Sequence, residues 1–272
     1  MSTNSSTNVI ILGAGGIDRR RPGIPMSRLI RVETRKLVDT RAGFWLVVAM
    51  TAVCAAVLAG ALIWAKPGTL DYQTLFGVEN IPLGVLLPVL AVLLVTSEWS
   101  QRTALLTFTV EPRRARVVRA KLATCLLAAA VAFVATLLLA ALGCLLAGAL
   151  RHHTDGAAGS WDMSWHLGIY ASLAWALALV EGFGFGMLLR NSAAGIVAVF
   201  VVPTAWTGIT AAIPWVHHHI QAWIDFTTAQ TPFRAAQIAT AADWAHLAVT
   251  SAIWVVLPVL VGTRLLLRAE VK

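Results

Sequence analysis

The chain has 272 residues, of which 58% are hydrophobic and 12% charged, and a formal net charge of +8. A soluble domain has about 25% charged residues, so this composition excludes one water-soluble core and indicates a polytopic membrane protein. A helix needs about 20 apolar residues to cross a bilayer, and six segments meet this length approximately. The predicted spans are 44–65, 81–96, 122–150, 167–189, 192–213 and 245–267. We therefore predict an all-α fold with six transmembrane helices.

The distribution of Lys and Arg predicts how the chain is oriented, because basic residues near short loops stay in the cytoplasm. Of the 21 basic residues, eight precede the first span, six lie in 97–121, one follows the fourth span and three end the chain. The alternate loops hold only Lys66, Arg151 and Arg234. Both termini are expected to be cytoplasmic, and the positive charge needs no nucleic-acid partner to explain it.

The N-terminal region divides into two parts. Residues 1–24 are predicted to be a disordered cytoplasmic leader. The run VIILGAGG within it is followed by arginines and prolines instead of a βαβ unit, which argues against a nucleotide site. Residues 25–41 are predicted to form an amphipathic helix at the inner membrane surface. Glu33 falls within its apolar stripe, where an unpaired carboxylate is costly. We expect it to pair with a basic residue of 97–121; the alternatives are that it turns toward the lipid headgroups or pairs locally with Arg35 or Lys36.

The polar segment 97–121 lies between the second and third spans and is rich in arginine. Its first part, 98–110, has good helix formers and no Gly or Pro, so it is predicted to be a short helix. Pro112 suits the first turn of a new helix, because its missing N–H would be unpaired there. Plain topology and attraction to anionic lipid would explain the basic second part, but not the helix of the first.

This segment resembles the first cytoplasmic loop of ABC-2 type permeases, the membrane subunits of ABC exporters. The resemblance lies in the order Glu98, Thr103-Ala104-Leu105, Glu111-Pro112-Arg113-Arg114 and Lys121, although Gln101-Arg102 replace the more usual small residue and Gly. It implies a coupling helix that docks on an ATPase. The residues expected to couple to that ATPase are Glu98, Arg102, Leu105, Phe108, Arg113 and Arg114. Glu33, Arg35 and Lys36 likewise resemble the acidic residue and basic pair of the family's elbow helix.

The resemblance covers nearly all of 25–272, which we treat as one transmembrane domain. It implies a transport subunit and not an enzyme, with ATP and Mg bound by a separate ABC ATPase and no cofactor bound by this chain. A second permease copy, identical or related, and membrane lipids are the other expected partners, and the expected location is a bacterial plasma membrane. The residues themselves show no Walker A pattern and no catalytic constellation.

Glu181 is predicted to be the only ionisable residue deep in the bilayer. Gly182 and Gly186 follow it at the spacing that lets two helices approach closely. An intramembrane carboxylate is costly enough to need a role. It either lines a cavity as a substrate or coupling residue, or anchors two helices by a hydrogen bond.

The remaining features have simpler interpretations. Pro203 is expected to kink the fifth span and Pro214 to end it. The segment 215–244 is expected to form short amphipathic helices at the outer leaflet. Its histidines, 217–219, point in different directions on a helix, which favours a solvated cluster over a metal site. The three cysteines lie inside spans and are interpreted as small apolar residues.

Three functions remain open from the sequence. The first is the permease subunit of an ATP-driven exporter. The second is a signalling or immunity component that does not transport, and the third is an ion-gradient carrier that uses Glu181 as a proton site. A single deep carboxylate and the lack of an internal repeat argue against a carrier, and no motif identifies the substrate.

Overall fold

The computed structural model describes residues 24–66, 69–101, 113–151, 158–235 and 237–268, and every regular element in these ranges is helical. Six helical stretches are long and apolar enough to cross a membrane, as predicted. The chain begins with α1 (Met26–Asp39), α2 (Arg41–Trp64), α3 (Tyr72–Ser100), α4 (Arg114–Arg151), α5 (Trp165–Leu189) and α6 (Ser192–Ala212). Four short helices follow, α7 (Pro214–His219), α8 (Gln221–Ile224), α9 (Phe226–Ala229) and α10 (Thr231–Arg234). The last span consists of α11 (Ala241–Ser251), a π-helix (Ala252–Val256) and α12 (Leu257–Arg268).

The amphipathic helix α1 packs against α2 and α4. Its buried residues are Glu33 and Leu37, so the polar Glu33 does lie on the face turned toward the bundle. Thr40 ends α1 and caps α2, because its hydroxyl oxygen accepts a hydrogen bond from the Gly43 backbone N–H at 3.2 Å. The two helices are therefore joined by one residue, which fixes α1 to the start of the first span.

Helices α3 and α5 form the centre of the bundle. Half of the most apolar stretch of each is buried, a larger share than in any of the other four spans. Glycines on α5 allow this contact: a Cβ on Gly182 would lie 2.5 Å from the Pro88 carbonyl oxygen of α3, and one on Gly186 would lie 3.3 Å from Val92 Cα. The predicted close approach at Gly182 and Gly186 is confirmed. Gly184 faces Pro258, so α12 packs on another side of the same helix.

Helix α3 is considerably longer than the predicted second span, 81–96. It begins after Asp71, whose carboxylate accepts a hydrogen bond from the Thr74 N–H at 2.6 Å, and it continues through Pro82 and Pro88. The predicted span already contains both prolines, and its ends are wrong because the polar residues on either side, Asn80 and Ser97, indicate loops. Within the helix, packing against neighbouring helices compensates for the prolines, each of which costs a free helix about 3 kcal/mol. The extra turns at the two ends of the helix bring Glu79 and Glu98 inside it.

Glu79 is, besides Glu181, a second ionisable residue buried within a helix long enough to cross the membrane. Glu79 has 0% exposure, and neither of its carboxylate oxygens has a hydrogen-bond partner among the described residues. It lies on a different face of α3 from the residues that line the cavity described below. A polar residue near Pro82 is easily taken for the end of a span, and this is why the sequence did not reveal it.

A two-residue turn joins α5 to α6. Arg190 adopts the left-handed conformation, with φ of 52°, and ends α5, while the Asn191 side chain accepts a hydrogen bond from the Ala194 N–H at 3.1 Å and begins α6. Helix α6 remains one helix through Pro203. It ends at Ala212, and Pro214 occupies the first turn of α7, so the predicted end of the span is confirmed.

The short helices predicted in 215–244 are present as α7 to α10. Asp225 holds them to α6: its buried carboxylate accepts hydrogen bonds from the Thr207 hydroxyl at 2.9 Å and the Thr227 N–H at 3.1 Å, and also from Thr228. A carboxylate with several donors is stabilised despite its burial. In the last span, the π-helix ends two residues before Pro258, which lacks the N–H that would continue an α-helical ladder.

Candidate functional site

Four charged side chains meet where the C-terminal end of α3 and the N-terminal end of α4 reach α1. We call them the ion cluster: Glu33 and Lys36 of α1, Glu98 of α3 and Lys121 of α4. Glu33, Glu98 and Lys121 are between 2% and 4% exposed, so water contributes little to their solvation. Because Glu33 and Lys36 are three residues apart, they project from the same face of α1.

The distances show that each carboxylate contacts both ammonium groups. Glu33 accepts from Lys121 Nζ at 2.7 Å with one oxygen and from Lys36 Nζ at 2.6 Å with the other. Glu98 Oε1 lies 3.2 Å from Lys36 Nζ and 3.4 Å from Lys121 Nζ. Two negative and two positive charges balance, and pairing of this kind is what makes buried charges tolerable.

The electrostatics of α1 follow from this pairing. Burial by itself would raise the pKa of Glu33, but the adjacent Lys121 and Lys36 ammonium groups hold that pKa below its ordinary value. Burial would lower the pKa of Lys36, and the Glu33 and Glu98 carboxylates instead raise it. The α1 members of the ion cluster are therefore charged at neutral pH.

The ion cluster connects to the backbone of α3 and keeps one acceptor unused. Lys121 Nζ donates a further hydrogen bond to the Leu94 carbonyl oxygen at 3.1 Å. Glu98 Oε2 is buried and has no hydrogen-bond partner among the described residues. The neighbouring segment 102–112 lies outside these residues.

The first turns of α4 make two more connections. Arg114 donates to the Leu266 carbonyl oxygen of α12 at 2.8 Å, and Arg116 donates to the Ile24 carbonyl oxygen just before α1. Arg113, which precedes α4, is exposed. The start of α4 is therefore bound to α1, α3 and α12 at the same end of the bundle.

The expected basic partner of Glu33 is confirmed, and both expected kinds of pair are present: Lys121 from segment 97–121 and Lys36 from α1 itself. Arg35 is exposed and lies outside the ion cluster. Glu98, predicted as a coupling residue, is buried between helices. Arg102, Leu105 and Phe108, together with the predicted helix 98–110 beyond Gln101, lie outside the described residues, so their coupling roles remain predictions.

A cavity of about 580 Å³ lies between α3, α5 and α6, and α9 and α10 cover one part of it. On α3 its lining residues recur at helical spacing, and two of them are glycines. On α5 the stripe includes three alanines and ends at Glu181. The small side chains leave this space: Gly77, Asn80, Ile81, Gly84, Val85 and Pro88 on α3, and Ala171, Ala174 and Ala178 on α5.

Glu181 differs from the other polar residues in the cavity wall. Its side chain is 6% exposed, and Oε1 is buried with no hydrogen-bond partner among the described residues. Four other polar residues of the wall have a hydrogen-bond partner within the protein: Asn80 donates to Phe76, Thr204 donates to Phe200, Tyr170 accepts from Ala239, and Gln230 accepts from Arg234. Between the two interpretations of Glu181, the placement favours the cavity residue over the interhelical anchor.

The sequence did not reveal the cavity or the place of Glu98 in the ion cluster. A usable signal for the cavity was present, since Gly77, Gly84 and the alanines of α5 recur on single helical faces. The position of Glu98 depended on the C-terminal end of α3, which continues to Ser100 instead of ending before the polar residues Ser97 and Glu98. No group of three or more potential metal-ligating side chains is found within the described ranges.

Comparison with known families gives a match to the model described as ABC-2 family transporter protein, over residues 29–205. No characterised protein and no solved structure matches significantly. The matched region begins in α1 and ends in α6, so it includes the ion cluster and Glu181. The six apolar spans and this match make the chain a multi-pass membrane protein and a member of the ABC-2 family of transporter membrane components.

Proposed function

We propose that this chain is the permease subunit of an ATP-driven exporter and that segment 97–121 couples it to a separate ATPase. The supporting observation is the ion cluster. Glu98 precedes the segment 102–112 and Lys121 follows it, and both bind the α1 pair Glu33 and Lys36. A force applied to that segment therefore acts on three helices together.

The mechanism is conformational. ATP-driven closure of the ATPase subunits moves segment 102–112, and the buried ion pairs resist separation of its two flanking helices, because an isolated buried charge is costly. Lys121 transfers the motion to α1 and to the backbone of α3, and Arg114 transfers it to α12. ATP and Mg remain in the ATPase, and a second permease copy completes the pathway.

The orientation in this proposal places the ion cluster at the cytoplasmic face of a bacterial plasma membrane. The excess of Lys and Arg on that side supports it. A non-transporting immunity component would have the same architecture and the same ATPase partner. It differs in lacking ATP-dependent movement of a ligand across the membrane, so a vesicle transport assay separates the two.

A gradient-driven carrier is the second candidate, favoured by Glu181 Oε1, which is buried in the cavity wall and has no hydrogen-bond partner among the described residues. Its test is uptake into vesicles that contain no ATP but have an imposed proton gradient. Transport under these conditions would support the carrier. Transport only with the ATPase and ATP would support the exporter.

The first test of the proposal is affinity purification from native membranes in mild detergent, with mass spectrometry of the co-purified proteins. The wild type is compared with Leu105→Ala/Phe108→Ala, which removes apolar side chains from the predicted docking helix. The matched control is Glu98→Gln, which changes the buried ion cluster and leaves Leu105 and Phe108 in place.

We expect an ABC ATPase subunit to co-purify with the wild type and with Glu98→Gln, and to be lost from the double variant. We further expect Glu98→Gln to lower ATP-dependent transport while the ATPase remains bound, because the residue transmits motion and does not dock. Absence of any ATPase from the wild-type preparation would overturn the proposal.

A further inference from the structure

The cavity between α3, α5 and α6 has the properties of a ligand site. Its volume of about 580 Å³ lies within the range of pockets that hold small organic molecules, about 300–1,000 Å³. A Cβ placed on Gly77 or Gly84 would meet nothing within 4 Å, so the wall on the α3 side opens onto free space. The small residues on one face of α3 and one face of α5 therefore leave room for a ligand.

The chemistry of the wall favours a ligand with an apolar body. Five aromatic residues line the cavity: Tyr170, Trp175, Phe200, Phe226 and Phe233. Aromatic faces attract organic cations as well as apolar groups. The hydrogen bonds within the protein leave few polar groups of the wall in need of a partner.

Glu181 supplies the specific polar contact. Its Oε1 has no hydrogen-bond partner in the described part of the chain, and the residue is 6% exposed, so little water reaches it. A buried carboxylate gains from a charge-assisted hydrogen bond, and a protonated amine supplies both the charge and the donor. The other charged residue of the wall, Arg234, is exposed and donates to Gln230 Oε1 at 3.1 Å, so its charge is better screened by solvent.

We propose that this cavity binds an amphipathic organic amine, with its ammonium group on Glu181 and its apolar body among the aromatic residues. Binding is a property of this chain alone and needs no ATPase. If the chain is an exporter subunit, such amines are its class of substrate, and only this extension of the inference rests on the proposed function.

The test uses the purified chain in nanodiscs of zwitterionic lipid and two fluorescent probes. Dansylcadaverine carries a primary amine, and its N-acetyl derivative has the same fluorophore and chain without the charge. Four proteins are titrated: the wild type, Glu181→Gln, Gly84→Leu, which fills the cavity, and Gly208→Leu. Gly208 also has open space around its Cβ but does not line the cavity, so it is the matched control.

We expect saturable binding of dansylcadaverine to the wild type and to Gly208→Leu with similar affinity. Glu181→Gln should weaken binding about tenfold or more, since a hydrogen bond to a charged group is lost, and Gly84→Leu should abolish it. The acetylated probe should bind the wild type and Glu181→Gln equally weakly. Size-exclusion elution at the wild-type position verifies that each variant is folded.

Equal affinity of the two probes for the wild type, or of the amine for the wild type and Glu181→Gln, would overturn the assignment of the ammonium group to Glu181. Unchanged binding to a folded Gly84→Leu would show that the probe binds elsewhere and would overturn the site itself. Since no ATPase is present, these outcomes are independent of whether the chain is an exporter subunit.

Discussion

Glu33 uses its two carboxylate oxygens to bind two ammonium groups, one from its own helix and one from a residue 88 positions later. The first pair is predictable, because residues three apart share a helix face. For the second pair, the sequence predicts only that some cation is required, because a carboxylate within an apolar stripe must be paired with a cation from elsewhere. The identity of that cation depends on how α1 packs against α4, and the hydrophobic periodicity of the sequence does not predict this packing.

A double-mutant cycle should show that Glu33 and Lys121 act as a pair. Lys121→Met leaves two buried carboxylates with one partly exposed lysine, and we expect a loss of about 3–5 kcal/mol in unfolding free energy. Glu33→Leu/Lys121→Met should lose less than the sum of the two single changes, because neither charge is then left unpaired. Unfolding in detergent, followed by tryptophan fluorescence, measures the four stabilities, and additive losses would contradict the pairing.

The pH dependence of stability should reflect the same residues. The folded-state pKa of Glu33 is lowered from 4.5, so its contribution is present above that value and is lost as the pH falls through the folded pKa. The pKa of Lys36 is raised from 10.5, so its contribution is present below that value and is lost as the pH rises through the folded pKa.

We therefore expect the unfolding temperature to decrease as the pH is lowered below about 4.5, and to decrease less steeply in Glu33→Gln. Lys36→Met should have the corresponding effect as the pH is raised above about 10.5. Thermal unfolding at matched ionic strength is the measurement. Identical acid limbs in the wild type and Glu33→Gln would show that other carboxylates dominate.

At the scale of single elements, α3 and α5 determine how closely the bundle packs. Both are central, and the contact between them depends on the absence of a side chain at Gly182 and Gly186. This contact between α3 and α5 could be predicted from the four-residue spacing of the two glycines. The extent of α3 could not, since the polar residues Glu79, Asn80, Ser97 and Glu98 suggest loops, whereas packing against neighbouring helices includes them in the helix.

Gly182→Ala should destabilise the protein by about 1–3 kcal/mol, because its Cβ would lie 2.5 Å from a backbone oxygen of Pro88 and the helices would have to separate. Gly77→Ala is the control on α3. Its Cβ would meet nothing within 4 Å, and alanine favours a helix over glycine by about 0.5–1 kcal/mol. Thermal unfolding of both variants checks this, and a Gly182→Ala protein as stable as the wild type would contradict the close contact.

For the whole molecule, composition and span length predicted the number of membrane helices and most of their ends within a few residues. These quantities are averages over about 20 residues, so a single polar residue changes them little. The two candidate sites depend instead on contacts between distant segments. The ion cluster joins residues 33, 36, 98 and 121, and the cavity joins α3, α5, α6, α9 and α10. The hydrophobic pattern of one segment predicts which of its faces is buried, but not which face of another segment packs against it.

The two-residue turn between α5 and α6 has a consequence for biosynthesis. Of the six spans, α5 has the lowest mean hydropathy, 1.6, and it carries Glu181. A carboxylate near the centre of a span costs roughly 2.5–3.5 kcal/mol during insertion by the translocon. A turn of two residues leaves no room for α5 to enter the lipid long before α6. We therefore expect the two helices to leave the translocon together as a hairpin, with α6 shielding the carboxylate from lipid before the remaining helices assemble.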